Sequence, residues 1–251
     1  MKVSSAGKSH IGKVREQNQD TIFTNDDGIG VLLNLYVVAD GLGGHQSGEV
    51  ASRRATEAFC AFFVMLEDGH STEDSEQELL AAALAYANQK VFDDATNVVE
   101  NKGMGTTFSA VTIKNGILHY AHVGDSRIYI SKNDGELIQV TTDHLSVTAE
   151  LLEEGFITQD EAKKYPETVL SRAIGTDFEV KIDMGETSLD GAKYAILCSD
   201  GLHNMITDDE IANIVASESN LETMTGKLTA AANNAGGKDN ISVIVIGWGE
   251  L

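Results

Sequence analysis

Four short apolar runs in this chain end or begin at an aspartate beside a glycine, an asparagine or a turn. Asp40 closes the run Val31-Leu-Leu-Asn-Leu-Tyr-Val-Val-Ala and precedes Gly41. Asp125 follows Leu118-His-Tyr-Ala-His-Val-Gly, and Asp200 follows Tyr194-Ala-Ile-Leu-Cys-Ser and precedes Gly201. Asp239 precedes Asn240 and Ile241-Ser-Val-Ile-Val-Ile. Runs of this length and composition read as buried β-strands. A carboxylate at the end of each would gather negative charge at one rim of a sheet, and a hard divalent cation with oxygen ligands relieves such repulsion. The competing reading is that Asp-Gly is a common turn dipeptide. The chain has six, at Asp27, Asp40, Asp68, Asp134, Asp190 and Asp200. Four sit among polar residues and read as surface turns. Asp40 and Asp200 each end a long apolar run, and with Asp125 and Asp239 they favour a metal site.

The order of periodic segments sets the fold class. Strands are expected at about 3–7, 20–25 and 30–39, then helices at 47–66 and 76–98, where apolar residues recur at helical spacing. Further strands are expected at 106–114, 116–123, 126–132 and 137–141. Asn115-Gly116 and Asn133-Asp-Gly135 separate them as hairpin turns, which argues for antiparallel pairing. A polar helical stretch is expected at about 145–165, strands at 180–186 and 193–198, helices at 208–217 and 221–234, and a last strand at 241–247. Helices come in pairs between groups of strands, unlike the alternation of a doubly wound fold. The expectation is an α+β protein, an αββα sandwich of two stacked, mainly antiparallel sheets, forming one domain over 1–251.

Charge narrows the function. With 18 Lys and Arg against 39 Asp and Glu, the net charge is −21. Such a surface argues against nucleic acid and anionic membrane as partners and would attract basic protein surfaces. Cys60 and Cys198 lie in apolar segments and read as buried free thiols of a reducing compartment. No stretch reaches the ~18 apolar residues of a membrane span, and the N-terminus lacks an apolar signal core. A cytoplasmic monomer is expected.

The remaining motifs carry chemistry. Arg15 stands five residues before Asp20; it could fork onto phosphate oxygens or simply pair with an acidic neighbour. Gly41, Gly43 and Gly44 allow close backbone approach after Asp40. His45, near the start of a long helix, is a candidate acid or a structural hydrogen-bonding group of the loop. Asp125 is either a ligand or a turn residue partnered by Arg127. Together, Arg15-x-x-Asn18-Gln19-Asp20, Asp40-Gly41-x-Gly43-Gly44-His45, Gly105-Thr106-Thr107, Gly124-Asp125-Ser126-Arg127, Ser199-Asp200-Gly201 and Asp239-Asn240 follow the order of the protein phosphatase 2C family. The chain resembles its bacterial single-domain serine/threonine phosphatases over about 5–248.

That resemblance implies catalysis with Mn2+ or Mg2+, two core ions and a third. Asp40 would bridge the core ions, with the Gly41 carbonyl binding one through water. Asp200 and Asp239 would hold the first ion, Asp20 would assist the second, and Asp125 with Asp200 would hold the third. Asn240 would orient Asp239, and Arg15 would grip the substrate phosphate. The stretch 144–172 matches the family's flap. The implied reaction is hydrolysis of phosphoserine and phosphothreonine in proteins by a metal-activated water, opposing a serine/threonine kinase. Two departures stand out. Leu42 occupies the position of a histidine that animal members carry as a candidate acid, and Tyr165-Pro166-Glu167-Thr168 replaces the usual flap sequence. The alternatives are a non-catalytic, metal-stabilised interaction module and a metal-dependent nuclease; the acidity speaks against the second.

Overall fold

From Leu35 to Ala39 every residue is buried, so this strand is covered on both faces. Alternation assigns the faces. Leu35, Val37 and Ala39 pack with helical residues such as Phe59 and Leu84. Tyr36 and Val38 pack with Ile128, Leu197 and Ile244, which come from other strands. Those strands are themselves two-faced, since Tyr129, Ile196, Val243 and Val245 pack with Ile211, Met224 and Leu228 of further helices. Three apolar layers therefore separate four layers of secondary structure, in the order helix, sheet, sheet, helix.

The computed structural model describes residues 2–44, 47–66, 75–145, 156, 158, 161 and 170–249. Along the chain come β1 (Lys2–His10), β2 (Asp20–Asn25), β3 (Leu35–Leu42), α1 (Ser47–Leu66) and α2 (Glu76–Asn97). Then follow β4 (Gly105–Thr106), β5 (Phe108–Lys114), β6 (Ile117–Val123), β7 (Arg127–Lys132), β8 (Leu137–Gln139), β9 (Asp183–Ser188) and β10 (Ala192–Cys198). The short α3 (Asp200–His203), α4 (Asp208–Ala216), α5 (Leu221–Asn234) and β11 (Ile241–Gly249) complete it. One sheet has the order β1-β11-β10-β7-β8 and the other β2-β3-β5-β6-β9, with β4 also on β3. Every strand pair is antiparallel.

The expected αββα sandwich is the observed one. The β5–β6 turn places Asn115 at φ 54° and Gly116 at φ 78°, the left-handed pair that a tight hairpin needs. Boundaries shift where tertiary contacts intervene. β3 begins at Leu35 rather than Gly30, because Ile29 and Leu32 bond each other in a turn of their own. It runs on past Asp40 to Leu42 because β4 pairs with Gly41 and Leu42. The strand expected at 106–114 is split at Thr107, whose N–H donates to the Asp40 carbonyl at 2.8 Å. Cys60 and Cys198 are free thiols. Most of the helix expected at 145–165 and of the 144–172 flap lies outside the described residues. Among the described residues no helix is long and apolar enough to cross a membrane.

Candidate active site

The fold carries all five aspartates to one end of the sandwich. Asp20 opens β2 and stands directly opposite Asp40 of β3 in the antiparallel register, so both side chains leave the sheet on one face. Asp200 opens α3 immediately after β10, and Asp239 lies just before β11, the strand paired with β10. Asp125 sits in the connection from β6 of one sheet to β7 of the other. Asp40, Asp125, Asp200 and Asp239 line a cavity of about 270 Å3 together with Arg15, Gly41 and Leu42. Asp20 lies beside this cavity, its Oδ2 accepting a hydrogen bond from Ser199 Oγ at 2.8 Å.

Burial and mutual repulsion make Asp20, Asp40, Asp125 and Asp200 poor anions. Burial is the largest cause in each case. It raises Asp20 to about 6, with the Asp200 and Asp239 charges adding to it. It raises Asp125 to about 7, helped by Asp200 and Asp143. Asp40 is pushed well above the usual carboxylate range by burial and by Asp20, Asp200, Asp125 and Asp239. Asp200 is raised by burial and by Asp239. The Oδ1 atoms of Asp20 and Asp200 are buried without a hydrogen-bond partner. Buried carboxylate oxygens without donors are costly, and a cation satisfies them and reverses the local pKa logic. The all-oxygen donor set suits Mg2+ or Mn2+. Among the described residues no group of three or more His, Cys, Asp or Glu side chains is placed to hold a metal ion by itself. An ion held at this rim would keep part of its shell as water, as Mg2+ does.

The rim is held by groups that are not themselves charged. The Asn240 side chain accepts from Gln19 N at 2.8 Å and donates to the carbonyls of Ile11 and Gln17, both at 2.9 Å. It thereby joins the Arg15 loop to the Asp239 turn. Gly201 is required because a Cβ there would overlap the Asn240 carbonyl oxygen. Gly41 is packed against the Gly48 carbonyl of α1 in the same way. Thr107 Oγ1 accepts from Asp40 N at 3.0 Å, and Thr106 Oγ1 donates to the Asp40 carbonyl at 2.8 Å. Sequence reading assigned no role to Thr107, Ser199, His203 or Asn204. Asn204 Nδ2 donates to Asp200 Oδ2 at 3.0 Å, and its spacing of four residues on one helical turn was the available signal. His203 Nε2 donates to the Asp125 carbonyl at 3.0 Å across 78 residues, for which no local signal exists.

Of the two readings of Arg15, the structure shows the ion pair. It is paired with an acidic neighbour, but that neighbour is Asp239, reached by Nη2 at 2.6 Å. Its side chain is still 53% exposed at the cavity mouth. Arg127 is not the hydrogen-bond partner of Asp125: its Nε and Nη2 hold Asp143 at 2.7–3.0 Å. His45 lies outside the described residues, while Leu42 is in the cavity wall.

The model of the family described as protein phosphatase 2C matches residues 6–239. The chain is 36% identical over 243 residues to protein phosphatase PhpP of Streptococcus pneumoniae, covering 96% of this chain and 95% of that one. The crystal structure of serine/threonine phosphatase Stp1 from Staphylococcus aureus has a TM-score of 0.85 at 29% identity, over 99% of this chain and 96% of that one. The catalytic domain of serine/threonine protein phosphatase PstP, solved in complex with two manganese ions, has a TM-score of 0.75 at 30% identity, over 98% and 97%.

Proposed function

The chain belongs to the protein phosphatase 2C family and is a protein-serine/threonine phosphatase, and from that premise we propose that it hydrolyses phosphoserine and phosphothreonine with Mn2+ or Mg2+ at the aspartate rim. The observation that carries this reading is the meeting of five aspartates from both sheets, with two buried carboxylate oxygens unpartnered. Asp40, which feels the charges of Asp20, Asp125, Asp200 and Asp239, would be shared by the two core ions, with the Gly41 carbonyl beside it. Asp200 and Asp239 would hold the first ion, Asp20 would support the second, and Asp125 with Asp200 would hold a third. When bound, such ions supply Lewis-acid charge and lower the pKa of water.

The protein's own groups do the rest. Asn240 and Asn204 hold the carboxylates in place. The Arg15 fork, held by Asp239 at the cavity mouth, would grip non-bridging phosphate oxygens in two parallel bonds. Leu42 carries no proton, so the leaving serine or threonine oxygen is protonated by solvent or by His45. The same proposal includes a cytoplasmic monomer, one phosphatase domain over 1–251, and a serine/threonine kinase whose marks it removes.

Mn2+-dependent release of phosphate from a phosphothreonine peptide tests the assignment. Asp40→Asn and Asp239→Asn should each lose more than the roughly 10–100-fold that an outer partner of a metal site costs. Full activity in either variant would sink the ligand assignment. Asp125→Ala should lose turnover while calorimetry still finds the core ions bound.

A further inference from the structure

Beside the catalytic cavity lies a larger one, of about 540 Å3. The two share Arg15, Gly43 and Gln19 in their walls. Its volume falls in the range of roughly 300–1,000 Å3 typical of ligand clefts, whereas the 270 Å3 catalytic cavity suits little more than the phosphorylated side chain. A peptide whose phosphate reaches Arg15 must leave the catalytic cavity with its neighbouring residues, and this cleft is continuous with it.

The walls state what kind of neighbour fits. Glu16 comes from the Arg15 loop and Glu100 from the turn after α2, and both are exposed. Among the described residues neither makes an ion pair, while Arg15, the one cation of the wall, is engaged by Asp239. Gln17 and Asn101 offer carboxamides of the kind that bond peptide main chain. Val50 of α1 offers an apolar surface against which the stem of a lysine or arginine can lie with its head toward a carboxylate. Resting on the phosphatase reading above, we propose that this cavity is the subsite for residues flanking the phosphorylated one, and that Glu16 and Glu100 select basic residues there.

The test uses three phosphothreonine peptides that differ only at the positions on either side of the phosphothreonine: lysines, alanines or glutamates. The full chain with Mn2+ should show the highest kcat/KM on the lysine peptide. The −21 charge alone attracts basic peptides, so the decisive readout is the lysine-to-glutamate ratio in variants. Glu16→Gln and Glu100→Gln should each lower that ratio roughly threefold, as for one exposed charge pair, and the double variant roughly tenfold. Glu100→Asp should keep most of the preference. A thermal melt of each variant confirms that it has folded. A ratio unchanged in the folded double variant overturns the proposal. A wild type that hydrolyses p-nitrophenyl phosphate yet treats the three peptides alike also overturns it, and leaves the phosphatase reading standing. A wild type inactive on every phosphate ester overturns the phosphatase reading instead.

Discussion

The Asn240 side chain spends all its hydrogen-bonding atoms on the segment 11–19, and it is almost fully buried. Asn240→Ala would leave Gln19 N and the carbonyls of Ile11 and Gln17 without their partner. An unsatisfied buried group costs about 1–3 kcal/mol, and water admitted to the space recovers part of that. Denaturant titration should therefore show a loss of roughly 2–4 kcal/mol, with activity falling as the Arg15 loop and the Asp239 turn lose their tie. A variant of wild-type stability would remove Asn240 from the framework. Single residues of the site were legible in the sequence to the degree that their neighbours were local. Asp40, Asp200 and Asp239 announced themselves because each sits at the edge of an apolar run. Thr107 and His203 did not, because their partners are 67 and 78 residues away. The Arg15 contact was foreseen as either phosphate grip or ion pair, and only the register of the two sheets identifies Asp239 as the acid.

Elements were read best where both of their signals are local. α1 and α5 begin and end where the helical period of apolar residues does. The hairpin at Asn115-Gly116 was legible because the left-handed conformations it needs suit those two residues. Strand ends were read less well, since a strand continues only as far as its neighbour pairs with it, as β3 does past Asp40. The order β1-β11-β10-β7-β8 joins the first strand to the last, a pairing that periodicity does not contain. At this scale the N-terminus of α4 offers a clean test. Thr207 Oγ1 accepts from Glu210 N, while Glu210 Oε2 accepts from Thr207 N at 2.8 Å, a reciprocal capping box. Thr207→Ala should cost about 1 kcal/mol of stability and leave the pH dependence of turnover unchanged, because the box contacts none of the site carboxylates. An altered pH profile would mean that α4 positions the rim.

At the scale of the whole molecule, the rim trades stability of the metal-free chain against affinity for cations. A carboxyl whose pKa is raised on folding stabilises the folded state fully below its unfolded pKa, near 3.9. That contribution is lost as pH rises through the folded value. For Asp20 and Asp125 the folded values are about 6 and about 7, and Asp40 and Asp200 shift in the same direction. Between pH 4 and 7 these groups therefore make the metal-free protein less stable as pH rises. His122, pushed down to about 4 chiefly by burial, has the opposite slope. It stays neutral in the folded state and subtracts stability as pH falls below its unfolded value of about 6.5. A subtraction separates the two contributions, because His122 is not in the rim and weighs equally with and without metal. Binding to the folded state alone raises stability by RT ln(1 + [L]/Kd), about 2.7 kcal/mol at a hundredfold excess over Kd. Kd itself improves as the ligands lose their protons. The melting temperature in Mn2+ minus that in chelator should thus be small at pH 5 and grow through pH 6 to 7 as the rim ionises. It should level off above pH 8, and the growth should be much reduced in Asp40→Asn. A difference independent of pH from 5 to 8 would mean that cations bind elsewhere on this acidic surface, at carboxylates that folding does not perturb.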